Sequence, residues 1–272
     1  KKMTFVNRPP EKLGSYKIQK EIGKGAFGRV YKCLDTRTLR VFAIKTITTR
    51  NMNAQQKKDV QSEVELLASL PPHENIVRYI ETVQDSSFFC IVLEYVDLGS
   101  LQSFIRKYGG DVTEQNVASF VIQILSGLHF LHEQGIIHRD IKAANVLITN
   151  DGVAKLADFG VAIKNKGGDG QNANIMDEEV AGSPYWMAPE IIEMRGQLTP
   201  ACDIWAVGAT AIELFTGHPP YHNLQAMSAL FRIVQDPHPE IPAKASNLFK
   251  EFLYQCFCKD PSRRPSANDL QS

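Results

Sequence analysis

Hydrophobic positions change their rhythm about a third of the way along the chain. Before that point they fall in short β-branched or aromatic runs, at residues 16–22, 29–34, 41–46, 77–83 and 88–93, each of which reads as a strand. Together they predict a small twisted sheet. Residues 54–70 interrupt them as a helix, stopped by Pro71-Pro72. From Ser100 onward the spacing is helical. Val117, Val121, Ile124, Leu128 and Leu131 recur on one helical face, and Gly135 stands where a left-handed cap would close it. Thr199-Pro200 predicts an N-cap followed by proline in the first turn of another helix, apolar through Leu214 and stopped near Gly217. Apolar on all sides, that helix belongs at the centre of a core. Residues 161–180, rich in Gly, Asn and Asp, predict a long loop with no element of its own.

Composition narrows the class. The chain has 272 residues, 43% of them hydrophobic, enough for a buried core and too much for disorder. Lys+Arg and Asp+Glu stand at 30 each, so no global field steers the chain to nucleic acid. The five cysteines are odd in number and scattered, which points to a reduced, cytoplasmic setting rather than a disulfide framework. Cys256 and Cys258 form only C-x-C, read as a buried helix end, and no structural metal is assigned. No apolar run approaches the roughly 20 residues of a membrane span. The last residues, 266–272, look like a helix start cut short, so the chain reads as an excerpt of a longer protein.

Gly23-Lys24-Gly25-Ala26-Phe27-Gly28-Arg29-Val30 lies between two strand candidates. Alone it admits two readings: backbone amides folded over a phosphate chain, or a glycine-rich hairpin with no ligand. A dinucleotide-binding loop of this spacing would continue into a helix, whereas a strand follows here. Lys45 ends a strand between apolar neighbours. Glu63 is its candidate anchor, because Glu65 points about 200° away around the helix. His138-Arg139-Asp140-Ile141-Lys142-Ala143-Ala144-Asn145, followed by Asp158-Phe159-Gly160, carries the decisive chemistry. Phosphoryl transfer needs a carboxylate to orient a hydroxyl and oxygen ligands for Mg²⁺ on the phosphates. Asp140, Asn145 and Asp158 supply them.

These motifs resemble the eukaryotic protein kinase family over nearly the whole chain. The resemblance implies an α+β, bilobal fold in a single domain: a small antiparallel sheet lobe with one helix over about 16–93, a hinge at 94–99 and a mainly helical lobe from 100 to 272. It implies ATP and Mg²⁺ as cofactors and protein substrates, with no nucleic acid and a monomeric domain. Lys45, paired with Glu63, would contact the α- and β-phosphates; Asp140 would be the catalytic base; Asn145 and Asp158 would hold magnesium. Glu94 and Val96 would meet adenine through their backbone, with Leu93 as gatekeeper. Ile22, Val30, Ala43 and Leu147 would wall the base, and Gly23, Lys24, Gly25 and Gly28 would cover the phosphates. Leu67, Tyr79, His138 and Phe159 look like the stacked spine, Asp203 like the anchor of the catalytic loop, and Glu190 like the partner of Arg264. Lys142 and Ser183 accompany Ser/Thr specificity in this family.

Asp140–Asn145 and Ser183-Pro184-Tyr185-Trp186-Met187-Ala188-Pro189-Glu190 resemble the sterile-type group in the upper tiers of MAP kinase cascades. Residues 226–236 and 155–162 bring it nearest to the septation-initiation kinases and plant MAP kinase kinase kinase epsilon, with germinal-centre or Hippo-like relatives as further candidates. That resemblance implies another kinase as substrate and a small-GTPase-linked activator. One position departs from the group. Where a phosphorylatable Ser or Thr is common, three residues before Gly182, this chain has Glu179. Two readings stand for it: a carboxylate that takes over part of the pull of a phosphate on Arg139, or part of a solvated acidic stretch, Asp177-Glu178-Glu179; Ser183 remains a second regulatory candidate. A pseudokinase scaffold would have lost Lys45, Asp140 or Asp158, and all three are present.

Overall fold

The computed structural model describes residues 9–24, 28–48, 54–84, 88–108, 112–164 and 182–271. Two compact units account for them: Lys1–Pro72 with Val77–Val96, and His73–Ile76 with Asp97–Ser272.

The first unit is a six-stranded antiparallel sheet. Its strands are β1 (Lys12–Leu13), β2 (Tyr16–Lys24), β3 (Arg29–Asp35), β4 (Val41–Thr48), β5 (Tyr79–Gln84) and β6 (Phe88–Glu94), in the order β1-β2-β3-β4-β6-β5. The five predicted strands are all present, each ending one or two residues beyond its predicted end or starting slightly late. β1 was not expected, because a two-residue strand has no period and exists only through its pairing with Tyr16 and Lys17. Leu13, Tyr16, Cys33, Ile44, Phe88, Cys90 and Val92 form the core. Helix α1 (Ala54–Ser69) buries Val60, Glu63, Leu66 and Leu67, one face at helical spacing. Glu65 lies off that stripe, exposed and bonded to Gln61.

The second unit is mainly helical: α2 (Leu101–Tyr108), α3 (Glu114–Glu133), α4 (Pro189–Ile192), α5 (Ala201–Thr216), α6 (Ala226–Gln235) and α7 (Asn247–Cys256). Two short antiparallel ladders, β8 (Val146–Ile148) with β9 (Ala154–Leu156) and β7 (Ile136–Ile137) with β10 (Ile163–Lys164), carry the segments between α3 and α4. Thr113 and Asn116 cap α3 reciprocally, and Gly135 follows its end at φ 70°. Two expectations need correction. Residues 163–164 are a strand rather than loop, because Ile163 and Lys164 pair with Ile137 and Ile136, a partnership invisible to local composition. α5 is capped by Pro200, not Thr199; Pro200 has helical φ and ψ, and no side chain caps the turn. The α+β expectation holds.

α5 is the centre of this unit, buried from Cys202 through Leu214 as its apolar sequence requires. Gly208 lets α7 approach: a Cβ there would stand 2.7 Å from Cys256 Cβ and 3.0 Å from the Phe257 ring. Trp205 stacks edge-on against Phe257 nearby. Cys256 is buried at the end of α7, while Cys258 is only half-buried. Arg264 forks onto Glu190 at 2.8 and 3.1 Å and also donates to Cys258 O and Ala201 O, so this buried cation is satisfied. Asp203 is fully buried on α5 and accepts from His132 Nε2 (2.9 Å), His138 N (2.9 Å) and Arg139 N (2.8 Å). Burial works to raise its pKa, but the His132 bond and the neighbouring histidines outweigh that and hold the carboxyl below its ordinary value.

Two predictions follow from α5. Gly208→Ala will destabilise the protein by about 1–3 kcal/mol in urea unfolding, since the clash is with packed atoms. Asp203→Asn will cost about 3 kcal/mol at pH 7, where an amide offers one acceptor to three donors. Because the folded carboxyl is depressed, its contribution is present above the unfolded pKa of about 3.9 and lost below it. The difference between wild type and Asp203→Asn therefore narrows as unfolding is repeated below about pH 4.

Candidate active site

In the first unit, β4 aims Lys45 inward between buried neighbours, and its Nζ donates to Glu63 Oε1 at 2.6 Å. Both residues are buried, so the pair is held in one geometry rather than fluctuating in solvent. Gly23 and Lys24 end β2, and Gly28 leads into β3. A Cβ on Gly28 would fall onto the carbonyl oxygen of Thr46, so no other residue fits there without a shift. Gly23 faces only ordinary contact with Val30. Glu21 and Arg29 close the hairpin across its base at 2.7 Å. Ala43 is buried, Val30 and Leu93 half-buried and Ile22 exposed. Glu94 is tied at both ends, its N donating to Arg78 O (2.9 Å) and its Oε1 accepting from Arg78 N (2.8 Å). Gly25 lies outside the described residues.

In the second unit, the catalytic-loop candidates converge. Asp140 Oδ2 accepts from Lys142 Nζ and Asn145 Nδ2, each at 2.7 Å, and Oδ1 accepts from Ser183 Oγ at 2.8 Å. Lys142 Nζ also donates to Ser183 Oγ at 2.5 Å. Asn145 gives its amide nitrogen a second time to Asp140 O at 2.8 Å, which leaves its oxygen as the atom with which it meets other groups. A one-turn 3₁₀ helix, Ala143–Asn145, makes this return possible, and β8 carries Leu147 onward from it.

Arg139 and Asp158 both adopt positive φ, at 65° and 61°, in the left-handed region that non-glycine residues enter at a cost. Arg139 is held there by its amide on Asp203 and by Nε donating to Val161 O at 2.6 Å. Asp158 is exposed. His138 is fully buried; its Nδ1 accepts from Asp140 N (3.3 Å), so Nε2 carries the proton and donates to Ala157 O (3.2 Å). Burial keeps its pKa low, consistent with this neutral form, and its ring lies 5.1 Å from that of Phe159. Gly182, at φ 119°, brings the next segment down: a Cβ there would stand 2.7 Å from Arg139 O. Glu179 lies outside the described residues.

The donor set suits a hard divalent cation. Asn145 and Asp158 offer oxygen, not sulfur or imidazole. Among the described residues no cluster of three or more His, Cys, Asp or Glu could hold a metal by itself. Few protein ligands completed by phosphate oxygens is how Mg²⁺ is commonly bound. His132 and Glu213 were missed in the sequence reading. Each contacts the catalytic loop or its anchor, and the only available sign was a polar residue on an otherwise apolar helical face.

Residues 16–272 match the family described as a protein kinase domain. MAP3K epsilon protein kinase 1 of Arabidopsis thaliana is 48% identical over 94% of this chain and 18% of its own length. Cytokinesis protein sepH of Aspergillus niger is 46% identical over 95% of this chain and 19% of its own. Cell division control protein 7 of Schizosaccharomyces pombe is 47% identical over 92% of this chain and 22% of its own. The chain thus spans about a fifth of the length of these curated relatives. Their names, which speak of MAP3K epsilon, cytokinesis and cell division control, agree with the group that the motifs resemble. No helix among the described residues is long and apolar enough to cross a membrane. With the matched span covering nearly the whole chain and the motif residues meeting as described, the chain belongs to the protein kinase family.

Proposed function

We propose that the domain transfers the γ-phosphate of ATP, with Mg²⁺, to Ser and Thr hydroxyls of protein substrates. The observation that carries this reading is the carboxylate of Asp140 fixed by Lys142, Asn145 and Ser183. A carboxylate so held can receive a substrate hydroxyl at one angle only, and positioning is most of what phosphoryl transfer asks of a protein. Lys142 places a cation beside the point where charge develops. Lys45, kept extended by Glu63, neutralises phosphate charge. Mg²⁺, held by Asn145 and Asp158, would supply charge neutralisation on the phosphate oxygens. Residues 94–99 act as the hinge, with Glu94 and Val96 meeting adenine by their backbone, and the unit boundary between Val96 and Asp97 falls within it. Ile22, Val30, Ala43, Leu93 and Leu147 wall the base.

The names of the relatives favour a place in a kinase cascade or in cytokinesis-type signalling, in the cytoplasm. Another kinase as substrate and a small-GTPase-linked activator fit that setting, and a monomeric domain suffices for the chemistry. Glu179 standing in for a loop phosphate would make the domain partly independent of phosphorylation, through Arg139.

Incubated with radiolabelled ATP, Mg²⁺ and a generic basic protein, wild type should label Ser and Thr, and Asp158→Asn should reduce the rate by a factor on the order of 10³. Labelling of tyrosine would refute the Ser/Thr assignment, and no labelling by wild type would point to a scaffold instead. After phosphatase treatment, Glu179→Ala should be several-fold slower than wild type; equal rates would remove Glu179 from the account.

A further inference from the structure

The even overall charge hides a division between the two units. Residues 1–72 and 77–96 carry 16 Lys and Arg against 9 Asp and Glu, a net +7, and residues 73–76 and 97–272 cancel it with 14 against 21. The excess is concentrated at the start, where residues 1–50 hold 13 Lys and Arg and only Glu11, Glu21 and Asp35 as acids. An anionic segment therefore meets the first unit in a favourable field that the whole-chain charge does not reveal.

Register places part of that excess in one row. Lys12 on β1 lies opposite Lys17 on β2, Lys17 opposite Leu34 on β3, and Leu34 opposite Val41 on β4. Residues directly opposite share a face. The next pair, Leu13 and Tyr16, is buried in the core, so the row lies on the other face of the sheet, where both lysines and Val41 are exposed. Like charges directly opposite each other destabilise a ladder, and neither lysine has an ion-pair partner among the described residues, the adjacent Glu11 included. The row runs from two unneutralised cations to two apolar side chains over roughly 14 Å, three inter-strand spacings.

The turn from β3 to β4 adds an apolar knob at the end of the row. Leu39 is 74% exposed and sits at φ 58°, in the left-handed region that glycine enters freely and leucine does not. The turn is well bonded: buried Asp35 accepts from Arg37 N (3.1 Å) and Thr38 Oγ1 (2.8 Å), its carbonyl accepts from Leu39 N (2.8 Å), and Thr36 N donates to Ser15 O (3.0 Å). Strain held in an ordered turn points to a functional constraint. A turn already ordered also loses little freedom when a partner docks.

We propose that this row, ending on Leu39, is a docking surface for an acidic, extended segment of a partner protein. About four or five of its residues, at roughly 3.3 Å each, span the strands, with carboxylates between Lys12 and Lys17 and an apolar side chain against Val41 and Leu39. Arg37 and Arg40, in the same turn, add to the attraction. A bilayer is the poorer fit, because one protruding leucine offers it little apolar area. The proposal stands apart from phosphoryl transfer and uses none of the residues assigned to it.

The test is fluorescence anisotropy of a labelled peptide, Glu-Glu-Leu-Glu-Phe, and of a counterpart with Lys in place of Glu, against wild type, Leu39→Gly and Lys12→Glu/Lys17→Glu. Wild type should bind the Glu peptide saturably and the Lys peptide not at all, and the double charge variant should reverse that preference. Leu39→Gly should weaken the Glu peptide about tenfold while raising Tm, because glycine relieves the left-handed strain. No saturable binding by wild type, or binding that neither variant weakens, overturns the proposal. So does a lower Tm for Leu39→Gly, which would make Leu39 a packing residue. Should Lys12→Glu/Lys17→Glu fail to fold, Lys12→Gln/Lys17→Gln replaces it, with about a tenfold loss expected and an unchanged affinity overturning the proposal. Two further arms identify other occupants. Co-sedimentation with phosphatidylserine vesicles that Leu39→Gly abolishes, with peptide binding unaffected, assigns the surface to a bilayer and overturns the proposal. A dimer in analytical ultracentrifugation that the charge variant dissociates, with peptide binding unaffected, assigns it to a second copy and does the same.

Discussion

The carboxylate of Asp203 is the fixed point from which the second unit is built. Three donors converge on it inside α5, and two of them are consecutive backbone amides of the catalytic loop. That pair of bonds holds Arg139 in a left-handed conformation costing on the order of 1–3 kcal/mol. Without the turn at Arg139 the chain would continue as it left β7. With it, Asp140 faces Lys142, Asn145 and Ser183. The cost of burying Asp203 thus reappears as the orientation of the reactive carboxylate. His132, the third donor, completes the set from α3 and keeps the acceptor from shifting between its two loop amides.

Among the described residues each unit buries a Lys or Arg paired with a Glu, and the two pairs differ in kind. Lys45 and Glu63 meet through a flexible ammonium, between a strand and the buried face of α1. Glu190 and Arg264 meet through a planar fork whose remaining donors go to carbonyls. A fork with every donor used is a clamp, and it fixes the start of α4. An ammonium is a compact charge on a flexible stem, which suits the phosphate-contacting role proposed for Lys45. Neither pair is a strong source of net stability, because desolvation offsets most of the attraction. What they supply is a single arrangement of charge.

Local pattern made most elements legible. Five strands and the long helices carry their own period, so 41–48 and 114–133 could be read directly. β1 and β10 could not, since two residues have no period and their strand character belongs to the pairing. The start of α5 was misplaced because Thr199 has good capping chemistry that the surrounding packing does not use. The site divides in the same way. Asp140, Lys142 and Asn145 lie within six residues, so their spacing carried the geometry. Glu213 bonds to the loop across 70 residues of chain and Asp203 across 65, distances no local spacing carries: Asp203 was reached through the family resemblance and Glu213 only through the fold. The glycines separate too: Gly28 is required by the Thr46 carbonyl, whereas Gly23 has room for a side chain.

The arrangement at Asp140 also bears on how the residue acts. A carboxylate has about four lone-pair sites. Lys142, Asn145 and Ser183 use three of them, which leaves room for about one more donor; in the reaction proposed above that donor would be a substrate hydroxyl. The direction of that last site is set by the other three. Ser183 enters the turn Pro184–Trp186, so the hydroxyl that orients Asp140 is tied to the placement of that segment. Lys142 closes the triangle by donating to both Asp140 and Ser183. Displacing any one of these groups misdirects the other two, and in the proposed phosphoryl transfer a loss of angle at Asp140 would matter more than a loss of charge, because that transition state asks little of a base beyond alignment.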